Sequence, residues 1–238
     1  MMPLSVHYGI FLLLSASMSI LKKILRFRYR DQGLIVREVT VGDKNLFRKG
    51  ILRLSPDSTF NRFHTNSITL NEHLLDYLTR VDQVSHVAIG VIDCTAEDCP
   101  GVAVARYVRS ENDPDIAEVA VTIIDEYQGR GLSAILLAGL SRYALENGIK
   151  RFRLFVQADR RKIRQKLLSL GGAVIRRHGS VIEIEVPAVP DLSSMDSSGW
   201  SRLFYGTLTD LKARQLPLFM RMKSLPERKS RPAQSEAL

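Results

Sequence analysis

One ionisable side chain, Glu118, interrupts the apolar stretch 116–124, and eleven residues later two glycines open the run Gln128-Gly129-Arg130-Gly131-Leu132-Ser133. A carboxylate on a strand can take a proton from a nucleophile. Glycines ahead of a helix let a ligand approach bare backbone N–H groups, and the helix N-terminus adds partial positive charge. The pair therefore suggests an anionic ligand held at one end of a strand and proton abstraction further along it.

The elements needed to hold these residues are legible. From 116 to 124, Val119, Val121 and Ile123 alternate with Glu118, Ala120 and Thr122, and β-branched residues dominate, so this segment reads as a strand. From Leu132 the apolar residues Ile135, Leu136, Leu140 and Ala144 keep helical spacing until Asn147-Gly148 stops it. A P-loop would need Gly-Lys-Ser/Thr, and a dinucleotide fingerprint needs three glycines with an acidic residue about 20 positions on. Neither occurs.

The chain of 238 residues is 45% apolar, enough for one domain with extensions, and its net charge is +9. Between positions 150 and 177 there are ten Lys or Arg and one Asp. Three readings fit such a run: binding of an acidic cofactor, nucleic-acid binding, or a solvated helix face. Interleaved aromatics and a recognisable module are missing, which ranks nucleic acid last. Cys94 and Cys99 are the only cysteines, too few for a zinc site, and no metal is expected; the low count suits a reducing cytoplasm. Residues 1–32 pair an apolar run at 8–14 with the basic residues Lys22, Lys23, Arg26, Arg28 and Arg30. That extension reads as a short anchor, a peripheral membrane contact, or a stretch preceding a true start at Met18.

Along the chain, strands are expected at 34–39, 86–92, 102–108, 116–124, 151–156, 173–175 and 181–186. Helices are expected at 43–54, 69–81, 132–147 and 161–170. Past Val186 a Pro/Ser linker begins, and 188–238 reads as a basic, mostly disordered tail. Within it Trp200, Leu203, Phe204 and Leu208 suggest one short amphipathic element, and 216–222 a second.

The turn Gln128-Gly129-Arg130-Gly131-Leu132-Ser133 resembles motif A of the GNAT superfamily of acyl-CoA-dependent N-acetyltransferases, written Gln/Arg-x-x-Gly-x-Gly/Ala, with Ser133 as its departure. The element order resembles the GNAT order over about 33–187. Two further segments, Leu54-Ser55-Pro56-Asp57-Ser58-Thr59-Phe60-Asn61-Arg62-Phe63 and Val104-Ala105-Arg106-Tyr107-Val108-Arg109, resemble those of the bacterial Pat-type protein lysine acetyltransferases.

The resemblance implies an α/β (α+β) GNAT fold, with a mixed central sheet of about seven strands flanked by about four helices. It implies acetyl-CoA as co-substrate, its diphosphate on Gln128, Gly129, Arg130, Gly131, Leu132 and Ser133, and its pantetheine arm along the backbone at Val121 and Ile123. Glu118 becomes the expected base, its pKa raised by burial, unless it faces solvent or pairs with an arginine such as Arg106. The acceptor would be a protein lysine or a small-molecule amine; a non-catalytic acyl-CoA sensor or adaptor is the alternative. Where family members show Asp-Asn-x-x-Met, this chain has Asp159-Arg160-Arg161-Lys162-Ile163, which substitutes cations for the Asn contact. The helix that follows holds no tyrosine to protonate the leaving thiolate.

Overall fold

A computed structural model describes residues 27–29, 33–63, 69–194 and 196–212. The apolar N-terminal run, Met18 and the second apolar stretch of the tail lie outside the described residues. Among those described, no helix is long and apolar enough to cross a membrane, and no cluster of three or more His, Cys, Asp or Glu residues is placed to hold a metal.

The strands are β1 (Phe27–Tyr29), β2 (Leu34–Glu38), β3 (His86–Asp93), β4 (Gly101–Arg109), β5 (Ile116–Ile123), β6 (Arg151–Gln157), β7 (Ala173–His178) and β8 (Val181–Pro187). They form one sheet in the order β1-β2-β3-β4-β5-β6-β8-β7. Every pairing is antiparallel except β5 with β6. The seven expected strands are present; the eighth, β1, lies inside the segment expected to be an extension and pairs with β2.

Among the described residues there are six α-helices: α1 (Lys44–Ile51), α2 (Pro56–Phe63), α3 (Glu72–Thr79), α4 (Leu132–Asn147), α5 (Arg161–Ser169) and α6 (Gly199–Lys212). The single helix expected over 43–54 stops at Ile51, and a separate helix, α2, starts where Ser55-Pro56 supplies a cap and a proline at the first helical position. Ser55 Oγ accepts the Ser58 N–H at 3.2 Å. α3 starts later than expected because Asn71 is its cap, with Oδ1 accepting the Leu74 N–H at 2.9 Å.

Successive residues of β4 show how the faces divide. Tyr107 is buried and its hydroxyl accepts from Asn147 Nδ2 of α4 at 2.8 Å. Arg106, on the opposite face, donates to the Leu78 carbonyl of α3 at 3.0 Å and lies 5.9 Å from the Phe47 ring of α1. Helix α4 is buried along nearly its whole length, since the sheet covers one side and α6 lies across the other.

That second cover corrects the boundary expected at 187. Leu203, Phe204, Tyr205, Leu208 and Leu211 of α6 belong to the same core cluster as Leu136 and Leu140. The folded unit therefore reaches at least Lys212, where the described residues end. At the other end of the sheet all six residues of β7 are exposed, and its register with β8 breaks between Val174 and Arg176.

One half-buried group makes stability depend on pH. His86 Nε2 sits 3.2 Å from Arg106 Nη1, and burial first, the guanidinium second, push the imidazole below its ordinary value of 6.5. The unfolded chain then binds a proton that the folded chain refuses, so this contribution is full above pH 6.5 and is lost as pH falls below it. Stability is expected to decline between pH 7 and pH 5 by no more than about 1.4 kcal/mol per pH unit from this group. His86→Asn should flatten that slope in urea titrations run across the same range.

Candidate functional site

Strands β5 and β6 run side by side for only three residue pairs, Ile116 with Arg151, Ala117 with Phe152 and Glu118 with Arg153. Beyond Glu118 they separate. The cause is that each strand continues with a different partner: β5 stays on β4 as far as Ile123, while β6 pairs with β8 through Gln157. A V-shaped cleft opens in the sheet, with Glu118 at its apex and the backbone of residues 119–123 along one wall. Five residues at about 3.3 Å each make that wall about 17 Å long.

At the mouth of the cleft stands the glycine turn. Gly129 and Gly131 adopt φ of +74° and +87°, the left-handed region that side chains rarely enter. A Cβ added at Gly129 would meet nothing within 4 Å, so backbone conformation rather than lack of space requires glycine there. No acceptor for the N–H groups of Gly129, Gly131, Leu132 and Ser133 is found among the described residues. Four unspent donors at the start of a 16-residue helix make an anion cradle.

The turn is held by residues whose roles the sequence did not disclose. Asp125 accepts from Ser55 N at 2.9 Å, Ser55 Oγ at 3.1 Å and Ser58 Oγ at 2.9 Å, which ties the start of α2 to the turn. Chiefly through the Ser55 N–H, its carboxyl is held below the usual carboxylate value. Gln128, itself exposed, folds back on its own loop: Nε2 donates to the Ile123 carbonyl at 3.1 Å and to Asp125 at 3.2 Å. It braces the turn against the end of β5. Tyr127 donates its hydroxyl to Asp93, and the Arg130 guanidinium lies 4.5 Å from the centre of its ring. The Leu-Ser-Pro-Asp-Ser segment carried a signal for this role, since Ser55 and Ser58 stand three apart at a helix start, but their partner lies 67 to 70 residues away.

Glu118 is exposed, not buried. The desolvation expected for it is therefore absent, and any service as a base rests on its position. Its cross-strand neighbours are Val108 and Arg153. The Arg153 guanidinium is taken by Glu183 at 3.0 Å and Glu185 at 2.7 Å. Val121 and Ile123 stand half-buried on the cleft wall, with their strand paired on its β4 side.

Charge around the mouth favours an anion. α5 begins with Arg161 and Lys162, both exposed, and has no acidic residue in its first turn. Cations at a helix N-terminus oppose the macrodipole, so an anionic ligand would relieve both. Arg160 reaches Asp57 of α2 at 3.8 Å. Part of the basic run is neutralised elsewhere: Arg151 and Arg153 are paired with Glu185.

A cavity of about 70 Å³ lies beneath α1 and not at the turn. Its lining is mostly hydrocarbon, including Leu46, Phe47, Ile51 and Val104, and its two charged groups, Arg37 and Asp43, are locked to each other at 2.6 Å. It offers no free group for proton transfer and reads as loose packing under a helix that buries none of its residues.

Comparison with known proteins bears on this arrangement. Residues 56–171 match the family model described as acetyltransferase (GNAT) family. The chain is 31% identical over 156 residues to acetyltransferase Pat of Mycolicibacterium smegmatis, covering 65% of this chain and 46% of that protein. It thus spans about half the length of that relative. An acetyltransferase of Pseudomonas aeruginosa is 30% identical over 138 residues, covering 58% of this chain and 74% of the relative. The crystal structure of the GNAT domain of S. lividans PAT superposes with a TM-score of 0.59 at 27% identity, over 66% of this chain and 93% of that domain. The split sheet, the glycine turn at its mouth and these matches lead to one assignment: the chain belongs to the GNAT family of acetyltransferases.

Proposed function

We propose that this protein transfers the acetyl group of acetyl-CoA to an amine, and that a protein lysine is the acceptor. The observation that carries the reading is the end of β5–β6 pairing at Glu118, which sets a carboxylate at the closed end of a cleft whose open end is an anion cradle. Acetyl-CoA supplies an activated thioester at one end and, in its nucleotide portion, a diphosphate and a 3′-phosphate. The residues fit it: the open N–H groups at Gly129, Gly131, Leu132 and Ser133 suit a diphosphate, and the free edge of β5 at Val121 and Ile123 suits an extended arm with amide groups.

An amine with a pKa near 10.4 arrives more than 99% protonated at neutral pH and must lose its proton before attack. Glu118 is the carboxylate at hand, acting directly or through one water. The unpaired edge of β5 offers N–H groups where negative charge would develop on the carbonyl oxygen. α5 has no tyrosine, so water supplies the proton that the departing thiolate needs.

The Pat-like segments at 54–63 and 104–109 support a lysine acceptor over a small amine. Incubation of the full chain with acetyl-CoA and a panel of lysine peptides and polyamines, read by mass spectrometry, tests this. Acetylated peptide lysines are expected. Label on polyamines alone would sink the lysine acceptor, and saturable CoA binding with no transfer to any amine would favour the sensor reading. Asp125→Ala is expected to weaken acetyl-CoA binding about tenfold, because the turn loses the charged hydrogen bonds that tie it to Ser55 and Ser58 at the start of α2. Calorimetric titration would measure it.

A further inference from the structure

The glycine turn ends on a residue that departs from the family motif, and that residue is bonded to the C-terminal helix. Trp200 of α6 donates its indole N–H to Ser133 Oγ at 3.0 Å. The indole is itself clamped: it stacks on Phe204 with ring centres 5.7 Å apart and planes within 10°, and the Lys166 ammonium of α5 lies 5.6 Å from its centre. Trp200 thus joins α4, α5 and α6 at the mouth of the cleft.

We propose that Trp200 is a positioning residue of the CoA site, which fixes Ser133 so that its hydroxyl donates to the CoA diphosphate. This rests on the CoA-binding reading given above. Ser133 is the second residue of α4 and half-buried, and its backbone N–H is one of the unspent donors. Its oxygen accepts from the indole, and no acceptor for its own proton is found among the described residues. A hydroxyl that accepts one hydrogen bond is a stronger donor in the next, and its rotor is no longer free. A glycine or alanine at this place would offer the backbone N–H alone. The serine and the tryptophan, 67 residues apart, form one device.

Lys166 supports the same assignment. It makes no ion pair among the described residues, although it is half-buried, and its ammonium lies against the indole that bonds to Ser133. Burial first and Lys162 second push its pKa down, so a nearby anion would relieve both.

Trp200 is the sole tryptophan in the chain, so its fluorescence reports on this place without labelling. Titration of the full chain with CoA is expected to change the emission in step with saturation. By calorimetry, Trp200→Phe and Ser133→Ala should each weaken CoA binding about tenfold, the range for one hydrogen bond to a charged group. The double variant should be no weaker than either single one, because both remove the same contact. Unchanged emission at saturating CoA, or losses that multiply in the double variant, would overturn the proposal while leaving CoA binding intact. Ser133→Ala removes only a half-buried hydroxyl, so its affinity decides the matter even if Trp200→Phe folds poorly. A wild-type chain that binds no CoA would sink the acetyltransferase reading, and this proposal with it.

Discussion

Glu118→Gln is expected to slow acetyl transfer about 10²- to 10⁴-fold at neutral pH, with the affinity for acetyl-CoA unchanged. The separation of the two effects follows from the cleft. Glu118 stands at its apex, five residues from the end of β5, while the unspent N–H donors stand past that end at Gly129 to Ser133. An amide is nearly isosteric with the carboxylate and accepts hydrogen bonds, but it does not take the ammonium proton. The amine therefore stays charged, and only the small fraction already neutral reacts. Raising the pH should recover part of the rate in the variant, because solvent then does what the carboxylate did. Single-turnover transfer measured from pH 7 to pH 10 would check this. A variant with wild-type rates at pH 7 would remove Glu118 from the mechanism.

Truncation after Pro190 is expected to abolish cooperative folding. The lost helix buries Leu203, Phe204, Tyr205, Leu208 and Leu211, each at most 4% exposed. Fully burying such a side chain stabilises by about 1.5–3 kcal/mol, so the five together amount to about 7–15 kcal/mol as an upper estimate. A domain of this size has a net stability of about 5–15 kcal/mol. The truncation removes a term as large as the whole margin and leaves the outer side of α4 to water. A graded version is Phe204→Ala, expected to cost about 3–5 kcal/mol. Thermal melts followed by circular dichroism would show the truncated chain without a sharp transition; a melt within a few degrees of the full chain would refute the estimate.

What was legible in the sequence was what is local. The turn at Gln128–Ser133 could be recognised because left-handed backbone needs glycine and because the helix that follows has a clear apolar period. The strands of 86–123 could be placed because alternation and turn residues act over a few positions. The cleft could not, since the parting of β5 from β6 is decided by which strand each pairs with, and β8 lies about 30 residues beyond β6. The burial expected for Glu118 failed for a related reason: alternation says which face a residue takes, but not whether anything covers that face. Helix α6 showed its apolar stripe in the sequence. Its partner, α4, was read by a single apolar stripe, although residues 134–140 are apolar on every side of the helix, the mark of one covered on both faces. Asp125 shows no local sign of its role, because only the folded chain brings Ser55 and Ser58 to it.

The end of the sheet at β7 has its own consequence. A last strand with one row of N–H and C=O groups unpaired is a template on which another chain can add, and this one carries exposed Val174 and Ile175. Here the register break after Val174 bends the strand, and Arg176, Arg177 and His178 follow at once. A twisted edge lined with positive charge repels a second copy of itself, which opposes the addition of another strand there.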